Sequence, residues 1–208
     1  MKDKREFRRL SAIGWWCLAF LVAAIVLIGS FYLDPAGQSW MKDHQDGGVR
    51  KFMEMVSWLG DWPGHVALGV VLLAIANWRG NQKWTRIFAA MILACALAGV
   101  ATRVVKISAG RARPNVQSEA GWNGPRLNPR FNSFPSGHTA ASTAFFATLA
   151  FVSWRVGLPL LAVPFLIAFS RMYVAAHYLS DVVCAAMIGV VAAYVVVDWK
   201  PLRLRSPD

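Results

Sequence analysis

Residues 11–33 read SAIGWWCLAFLVAAIVLIGSFYL, without one charged side chain. Coiled as a helix at 1.5 Å per residue, such a run crosses the ~30 Å hydrocarbon core of a bilayer. The basic stretch ahead of it, MKDKREFRR, resembles a signal-peptide n-region. The apolar run, however, is longer than an h-region of ~7–15 residues, and no A-x-A cleavage site follows. The reading is an uncleaved first membrane helix behind a tail at residues 1–10. Five further apolar segments follow, at about 63–78, 87–105, 138–154, 156–174 and 180–199. No strand alternation, internal repeat or linker interrupts them. The expected fold is therefore all-α, an integral membrane bundle of six transmembrane helices forming a single domain over residues 1–208.

Composition supports the same class. The chain is 56% apolar yet carries a formal net charge of +11, and its mean hydropathy is +0.41. A nucleic-acid binder would explain the charge but not the apolar excess, and that excess also excludes disorder. A membrane protein accommodates both, because basic residues collect at the ends of apolar spans. Cys17, Cys95 and Cys184 each sit inside an apolar run, so they read as small buried hydrophobes rather than disulfide or metal ligands.

Lys and Arg in the connections set the orientation. They crowd the first nine residues, the 79–86 link (Arg79, Lys83, Arg86) and the C-terminus (Lys200, Arg203, Arg205). The positive-inside rule then places both termini in the cytoplasm of an inner membrane. The acid-rich 34–62 segment, with Asp34 counted among its loop charges, falls on the external or periplasmic side, as do the 106–137 and 175–179 connections. Within 34–62, residues 39–59 mix Trp40, Met41, Phe52, Met53, Val56 and Leu59 with charges, as a helix lying on the membrane surface after Gly47-Gly48 would. Trp15, Trp16, Trp40, Trp58, Trp62, Trp78, Trp84 and Trp199 suit an interfacial belt.

One connection contradicts the charge rule. The 106–137 loop carries Lys106, Arg111, Arg113, Arg126 and Arg130 against a single acid, Glu119, on the side where cations should be scarce. Those cations belong to three stretches that the topology brings to one face. The first is Lys106-Ile-Ser-Ala-Gly-Arg-Ala-Arg113-Pro114; the second is Pro135-Ser136-Gly137-His138; the third runs from Ser170-Arg171 through His177 to Asp181. Lys106, Arg113 and Arg171 supply an ammonium and two guanidinium forks, which match tetrahedral oxyanions. Ser136 and Gly137 precede a helix start, whose free N–H groups and dipole favour an anion. Together these residues make a phosphate cradle.

His177 and Asp181 are four residues apart, so on a helical turn they share a face. A carboxylate on one ring nitrogen leaves the other free to attack phosphorus. His138 then protonates the departing oxygen, and water hydrolyses the phosphohistidine. Three cations neutralise the charge that Mg²⁺ neutralises elsewhere, so neither metal nor other cofactor is expected.

The pattern KxxxxxxRP, PSGH, SRxxxxxHxxxD resembles the signature of the type 2 phosphatidic acid phosphatase family, which is related to vanadium-dependent haloperoxidases. The three motifs match without a departure and in the family's order. The resemblance implies His177 as nucleophile, Asp181 as its partner and His138 as acid. It further implies Lys106, Arg113, Ser136, Gly137 and Arg171 as phosphate ligands. It implies a lipid-phosphate substrate: undecaprenyl diphosphate, phosphatidylglycerophosphate, phosphatidic acid or a lipid A phosphate. The expected partners are that lipid and the bilayer, with no nucleic acid; the sequence carries no signal for an oligomeric state.

Taken singly, each residue has a plainer explanation. Lys106 and Arg103 could snorkel, Arg113 and Arg171 could anchor at the interface, and Asp181 could cap a helix. Those explanations demand five coincidences on one membrane face. Other functions remain open alternatives: a lipid-to-lipid phosphotransferase using the same phosphohistidine, a vanadate haloperoxidase, or a non-catalytic transporter or scaffold. Arg111 has no phosphate role in the motif, so its removal is expected to leave most activity intact.

Overall fold

The computed structural model describes residues 2–116, 121–199 and 204, with side chains described from residue 13 onward. Glu119 and the C-terminal Lys200, Arg203 and Arg205 lie outside the described residues. So do the side chains of the basic N-terminal stretch.

The described residues form eight α-helices and one 3₁₀ turn at Pro129–Phe131, with a single isolated β-bridge and no strand. Helix α1 runs over Lys2–Asp43, well past the expected end at residue 33. Neither Asp34 nor Pro35 stops it. The Asp34 carboxylate turns inward to buried partners, and Pro35 stands inside the helix at the cost of one backbone bond. The expected 34–62 loop is thereby corrected: its first ten residues are helix α1.

Helix α2 (Gly47–Leu59) starts at Asp46, whose carboxylate accepts the N–H groups of Gly48 and Val49 at 2.9 Å each. It begins at the Gly47-Gly48 pair, where the helix of the 39–59 stretch is expected to start. Met53 and Val56 are buried and α2 packs on α7. The Tyr173 hydroxyl donates to His44 O and accepts from the Asp46 N–H, fastening the α1–α2 turn. Helix α3 (Trp62–Trp78) is capped by Asp61 with Pro63 in its first turn. Helix α4 (Gln82–Ala109) ends on Gly110. Gly110 adopts φ +57, and a Cβ there would stand 1.8 Å from the Gly124 carbonyl oxygen, so only glycine fits.

Helix α5 (Gly137–Val152) is the centre of the bundle. The fifth expected span is one stretch in two pieces, α6 (Trp154–Leu160) and α7 (Ala162–Tyr173), divided at Leu161 just after Pro159. Helix α8 (Leu179–Asp198) completes the chain. Helix α5 packs most extensively on α8 and α4 through small residues: Ala140 and Ala144 against Ala94, Ala98, Ala185 and Ala192. Gly189 permits the closest approach, since a Cβ there would be 2.7 Å from the Ala140 carbonyl oxygen. Small residues let membrane helices touch where no hydrophobic force gathers them. Large apolar side chains point outward instead, among them Phe20, Trp78 and Val191. Of the eight belt tryptophans, Trp84 alone is half-buried, stacked on Phe88; the other seven are exposed.

Among the described residues, four stretches can cross a membrane by length and composition: Ile13–Asp43, Gln82–Ala109, Trp154–Tyr173 and Leu179–Asp198. A fifth exists if α2 and α3, bent by 56° at their junction, count as one span. Helix α5, with 16 residues, is shorter than a lipid-facing span; its middle is enclosed by other helices and needs no match to hydrocarbon thickness. The C-terminal ends of α4 and α7, the N-terminal ends of α3, α5 and α8, and Asp34 of α1 all meet at one end of the bundle.

Candidate active site

At that end, backbone bonds draw the connection between α4 and α5 back over the helices. The N–H of Ala112 reaches Gly121 O, that of Arg113 reaches Arg130 O, and that of Ser133 reaches Arg111 O. Lys106 occupies the last turn of α4 and donates to Asn132 O at 2.9 Å. Arg113 stands just beyond Gly110. Arg171, in the last turn of α7, donates through one terminal nitrogen to the Ser57 hydroxyl of α2. Lys106, Arg113 and Arg171 lie close enough to repel one another. Among the described residues none of the three has a carboxylate within ion-pair distance. The Nε atoms of Arg113 and Arg171 are buried without any hydrogen-bond partner. Burial holds the Arg113 guanidinium below its usual pKa, opposed by the charge of Asp181. Two buried guanidinium donors without acceptors define a place for an anion.

The start of α5 faces the same space. Ser136 is fully buried; its hydroxyl caps the helix by accepting the Thr139 N–H at 3.5 Å, accepts the Thr139 hydroxyl at 3.0 Å, and its own N–H goes to Asp181 O. Gly137 and His138 follow, and first-turn N–H groups have no preceding turn to bond. A Cβ built on Gly137 meets nothing within 4 Å. His138 Nε2 lies 3.6 Å from Asp61 Oδ1, an acid at the start of α3 that the three motifs do not include.

His177 is 2% exposed in the short link between α7 and α8. Its Nδ1 is 3.4 Å from Asp181 Oδ2, within ion-pair reach but off the hydrogen-bond direction. Catalytic hydrogen bonds are often long in an empty site and tighten around substrate. Burial pushes the His177 pKa down to about 3, against the opposing pull of Asp181, so the ring is neutral at any physiological pH. Asp181 is both partner and cap, since its Oδ2 also accepts the Tyr178 N–H at 2.9 Å and the Ser133 hydroxyl. Its Oδ1 is held by Arg111 at 2.5 Å, and Arg111 reaches on to Asp34 of α1 at 2.6 Å.

The expected residues are therefore at one end of the bundle, and four others join them: Asp34, Asp61, Arg111 and Ser133. The expectation that Arg111 is dispensable loses its basis, because the residue is 8% exposed and its guanidinium lies between two carboxylates. A sequence signal did exist for Asp34. An acid directly after a long uncharged run needs a partner if the helix continues.

A cavity of about 810 Å³ opens beside these groups. Lys106, Arg113, Gly137, His138 and Asp61 form its polar end, while Val66, Val100, Val104 and Leu127 contribute apolar wall between α3 and α4. Val100 and Val104 are also exposed on the outer face of α4, so the cavity reaches the outside of the bundle there. Among the described residues no group of three or more His, Cys, Asp or Glu side chains could hold a metal ion. Chemically, such a site can seat a tetrahedral oxyanion beside a neutral, oriented imidazole, with a second imidazole next to a carboxylate.

Comparisons with known proteins show what the chain is similar to in sequence and in fold. The lipid A 1-phosphatase of Rhizobium etli is 25% identical over 190 residues, covering 83% of this chain and 79% of that protein. The lipid A 1-phosphatase of Rhizobium johnstonii is 27% identical, covering 89% and 82%. In fold, the chain is similar to LpxE of Aquifex aeolicus (TM-score 0.62, 22% identity, 80% of this chain and 96% of that one). It is also similar to a transmembrane PAP2-type phosphatidylglycerolphosphate phosphatase of Bacillus subtilis (TM-score 0.67, 20% identity, 90% and 96%). The pattern of the PAP2 superfamily matches residues 84–205, which hold all three motifs and more than half of the sequence, and the chain belongs to that superfamily.

Proposed function

We propose that the chain is a membrane phosphatase that removes phosphate from a lipid headgroup through a phosphohistidine on His177. The observation that carries the reading is the pair of buried, partnerless Nε atoms on Arg113 and Arg171 beside Lys106 and the open face of Gly137. Charged donors of this kind in a dry site are matched by the equatorial oxygens of a transferring phosphoryl group.

With Nδ1–H directed at Asp181, the Nε2 lone pair of His177 attacks phosphorus in line, and the bond from phosphorus to the lipid oxygen breaks. His138, whose Nε2 lies 3.6 Å from Asp61 Oδ1, gives its proton to that oxygen. Water then attacks the phosphohistidine and returns a proton to His138, so phosphate leaves and both rings are restored. Lys106, Arg113, Arg171 and the first-turn N–H groups after Ser136 carry the charge throughout.

The apolar wall between α3 and α4 supports sideways entry from lipid, with the headgroup at the cations and the chains against Val66 and Val100. The named relatives favour a lipid A 1-phosphate as substrate. For topology, α3 and α5 complete six crossings, both termini are cytoplasmic and the site is external. Helix ends alternate at the site as that arrangement requires.

The test is phosphate release by purified protein from lipid A, phosphatidylglycerophosphate, phosphatidic acid and undecaprenyl diphosphate, without an acceptor lipid. Wild type should release phosphate and form an acid-labile, base-stable phosphoprotein, and His177→Ala should do neither. Turnover by His177→Ala would refute the covalent step. Release that needs an added acceptor lipid would turn the assignment to a phosphotransferase.

A further inference from the structure

Behind the His177–Asp181 pair lies a buried ion cluster to which neither the phosphate cradle nor the proton donor assigns a task. Arg111 is ringed by aromatic faces, with its guanidinium carbon 4.0 Å from the Tyr178 ring, 5.0 Å from Trp122 and 5.4 Å from Phe31. One terminal nitrogen donates to Asp181 Oδ1 at 2.5 Å and to the Ser180 hydroxyl at 2.7 Å; the other donates to Asp34 Oδ2 at 2.6 Å. Asp34 is itself saturated. It accepts the Ser180 N–H at 2.8 Å and the Ser180 hydroxyl at 2.6 Å, so a side chain from α1 caps the first turn of α8.

We infer that Arg111 and Asp34 are positioning residues for the reaction, together fixing the carboxylate of Asp181 against His177, so that α1 is part of the catalytic apparatus. The inference rests on the reading of His177 as nucleophile.

The two oxygens of Asp181 divide their work. Oδ1 is anchored by Arg111, and Oδ2, with Ser133 and the Tyr178 N–H on it, is the oxygen that faces His177 Nδ1. Two carboxylates and one guanidinium leave one net negative charge in a buried place. That charge is the counterpart of the positive charge the imidazole gains as phosphorus is transferred to it. Without Arg111, Asp34 and Asp181 would share the site as uncompensated like charges; one would take up a proton or swing away. Without the charge of Asp34, Arg111 would draw on Asp181 alone and cancel the field at His177. Arg111 holds Asp181 by Oδ1, the oxygen other than the one nearest His177, and Asp34 holds Arg111, so both act through that carboxylate.

A structural brace between α1 and α8 would predict lost stability only. The deciding experiment is a double-mutant cycle on the full chain in detergent with a lipid-phosphate substrate, reading kcat, KM and thermal unfolding. Its variants are Arg111→Met, Asp34→Asn, their combination and Arg111→Lys. His177→Ala is the dead reference, and Arg50→Gln, at an exposed pair with Glu54, is the handling control.

Arg111→Met should lower kcat by ~10²-fold, the scale of an ångström of misplacement, with KM within about threefold of wild type. The combined variant should recover about tenfold over Arg111→Met, because it removes the uncompensated charge. Arg111→Lys should recover part of the loss. The inference is overturned by folded Arg111→Met with near wild-type kcat, by a loss confined to KM, or by a combined variant no faster than Arg111→Met. Should Arg111→Met fail to fold, isosteric Asp34→Asn decides. A fall in kcat of about tenfold at constant KM supports the inference, and wild-type kcat overturns it. An active Arg111→Met beside a dead His177→Ala removes this inference alone, whereas an active His177→Ala removes the nucleophile assignment.

Discussion

Replacing Gly137 by alanine adds one methyl group at the first turn of α5, and the surroundings of that methyl decide two different outcomes. The position has no protein heavy atom within 4 Å of an ideal Cβ, and its φ is not in the left-handed region. Folding therefore meets neither clash nor strain. Alanine outranks glycine in a helix by up to ~1 kcal/mol, and less in the first turn, so stability should hold or rise slightly. Activity should move the other way. Gly137 borders the cavity with Lys106, Arg113 and His138, where the phosphoryl oxygens would meet the first-turn N–H groups. A methyl in that gap moves the phosphoryl group by about an ångström from in-line attack, a displacement worth ~10²-fold in kcat/KM, or about 2.7 kcal/mol of barrier. The assay is phosphate release from mixed lipid–detergent micelles, run beside thermal unfolding of the same sample. Wild-type kcat/KM in folded Gly137→Ala would mean that no phosphate sits against this turn. A variant that is both inactive and markedly less stable would show that the space is not open, and the reasoning would fail at its first step.

Gly110 gives the opposite result. With φ +57 and a Cβ placed 1.8 Å from Gly124 O, Gly110→Ala should lose ~2 kcal/mol or more of stability together with its activity, measured by thermal unfolding; an unchanged midpoint would contradict the packing of the 110–133 loop. The lowered pKa of His177 has a definite sign: its ring accepts a proton only far below 6.5 and stays nucleophilic as pH falls through that value. Ring-carbon NMR of labelled histidine should show no His177 titration above about pH 5, and a midpoint near 6.5 would refute the burial argument. Chelator should leave phosphate release unchanged, since Lys106, Arg113 and Arg171 carry the charge; loss in EDTA restored by Mg²⁺ would require a metal. For the orientation, a cysteine at exposed Arg126 should react with an impermeant thiol reagent in whole cells, and labelling only after lysis would invert the topology.

What was legible in the sequence, and what was not, follows from how far apart the interacting residues are. The motif residues Lys106, Arg113, Ser136, Gly137, His138, Arg171, His177 and Asp181 could be found because each motif is short and its chemistry is written in residue type. Most helix positions were legible for the same reason, since an apolar run is a local property. The failures occur where one residue's meaning depends on a distant partner. Asp34 looked like the end of a span because hydropathy weighs it alone, whereas its charge is offset by Arg111, 77 positions later. Arg111 looked superfluous because the motif spacing names its neighbours and not the carboxylates on either side of it. Helix α5 looked like an ordinary span, but its polar residues Thr139, Ser142, Thr143 and Thr148 are buried in the bundle, with Ser142 and Thr148 bonding carbonyls one turn back. That satisfaction lets a 16-residue helix serve as the core of a membrane protein. The same logic applies to Asp34: a carboxylate is stable beside a long apolar run only when another helix or loop brings it a cation. A lone acid at that place in a sequence is therefore better read as a contact still to be found than as the edge of the membrane.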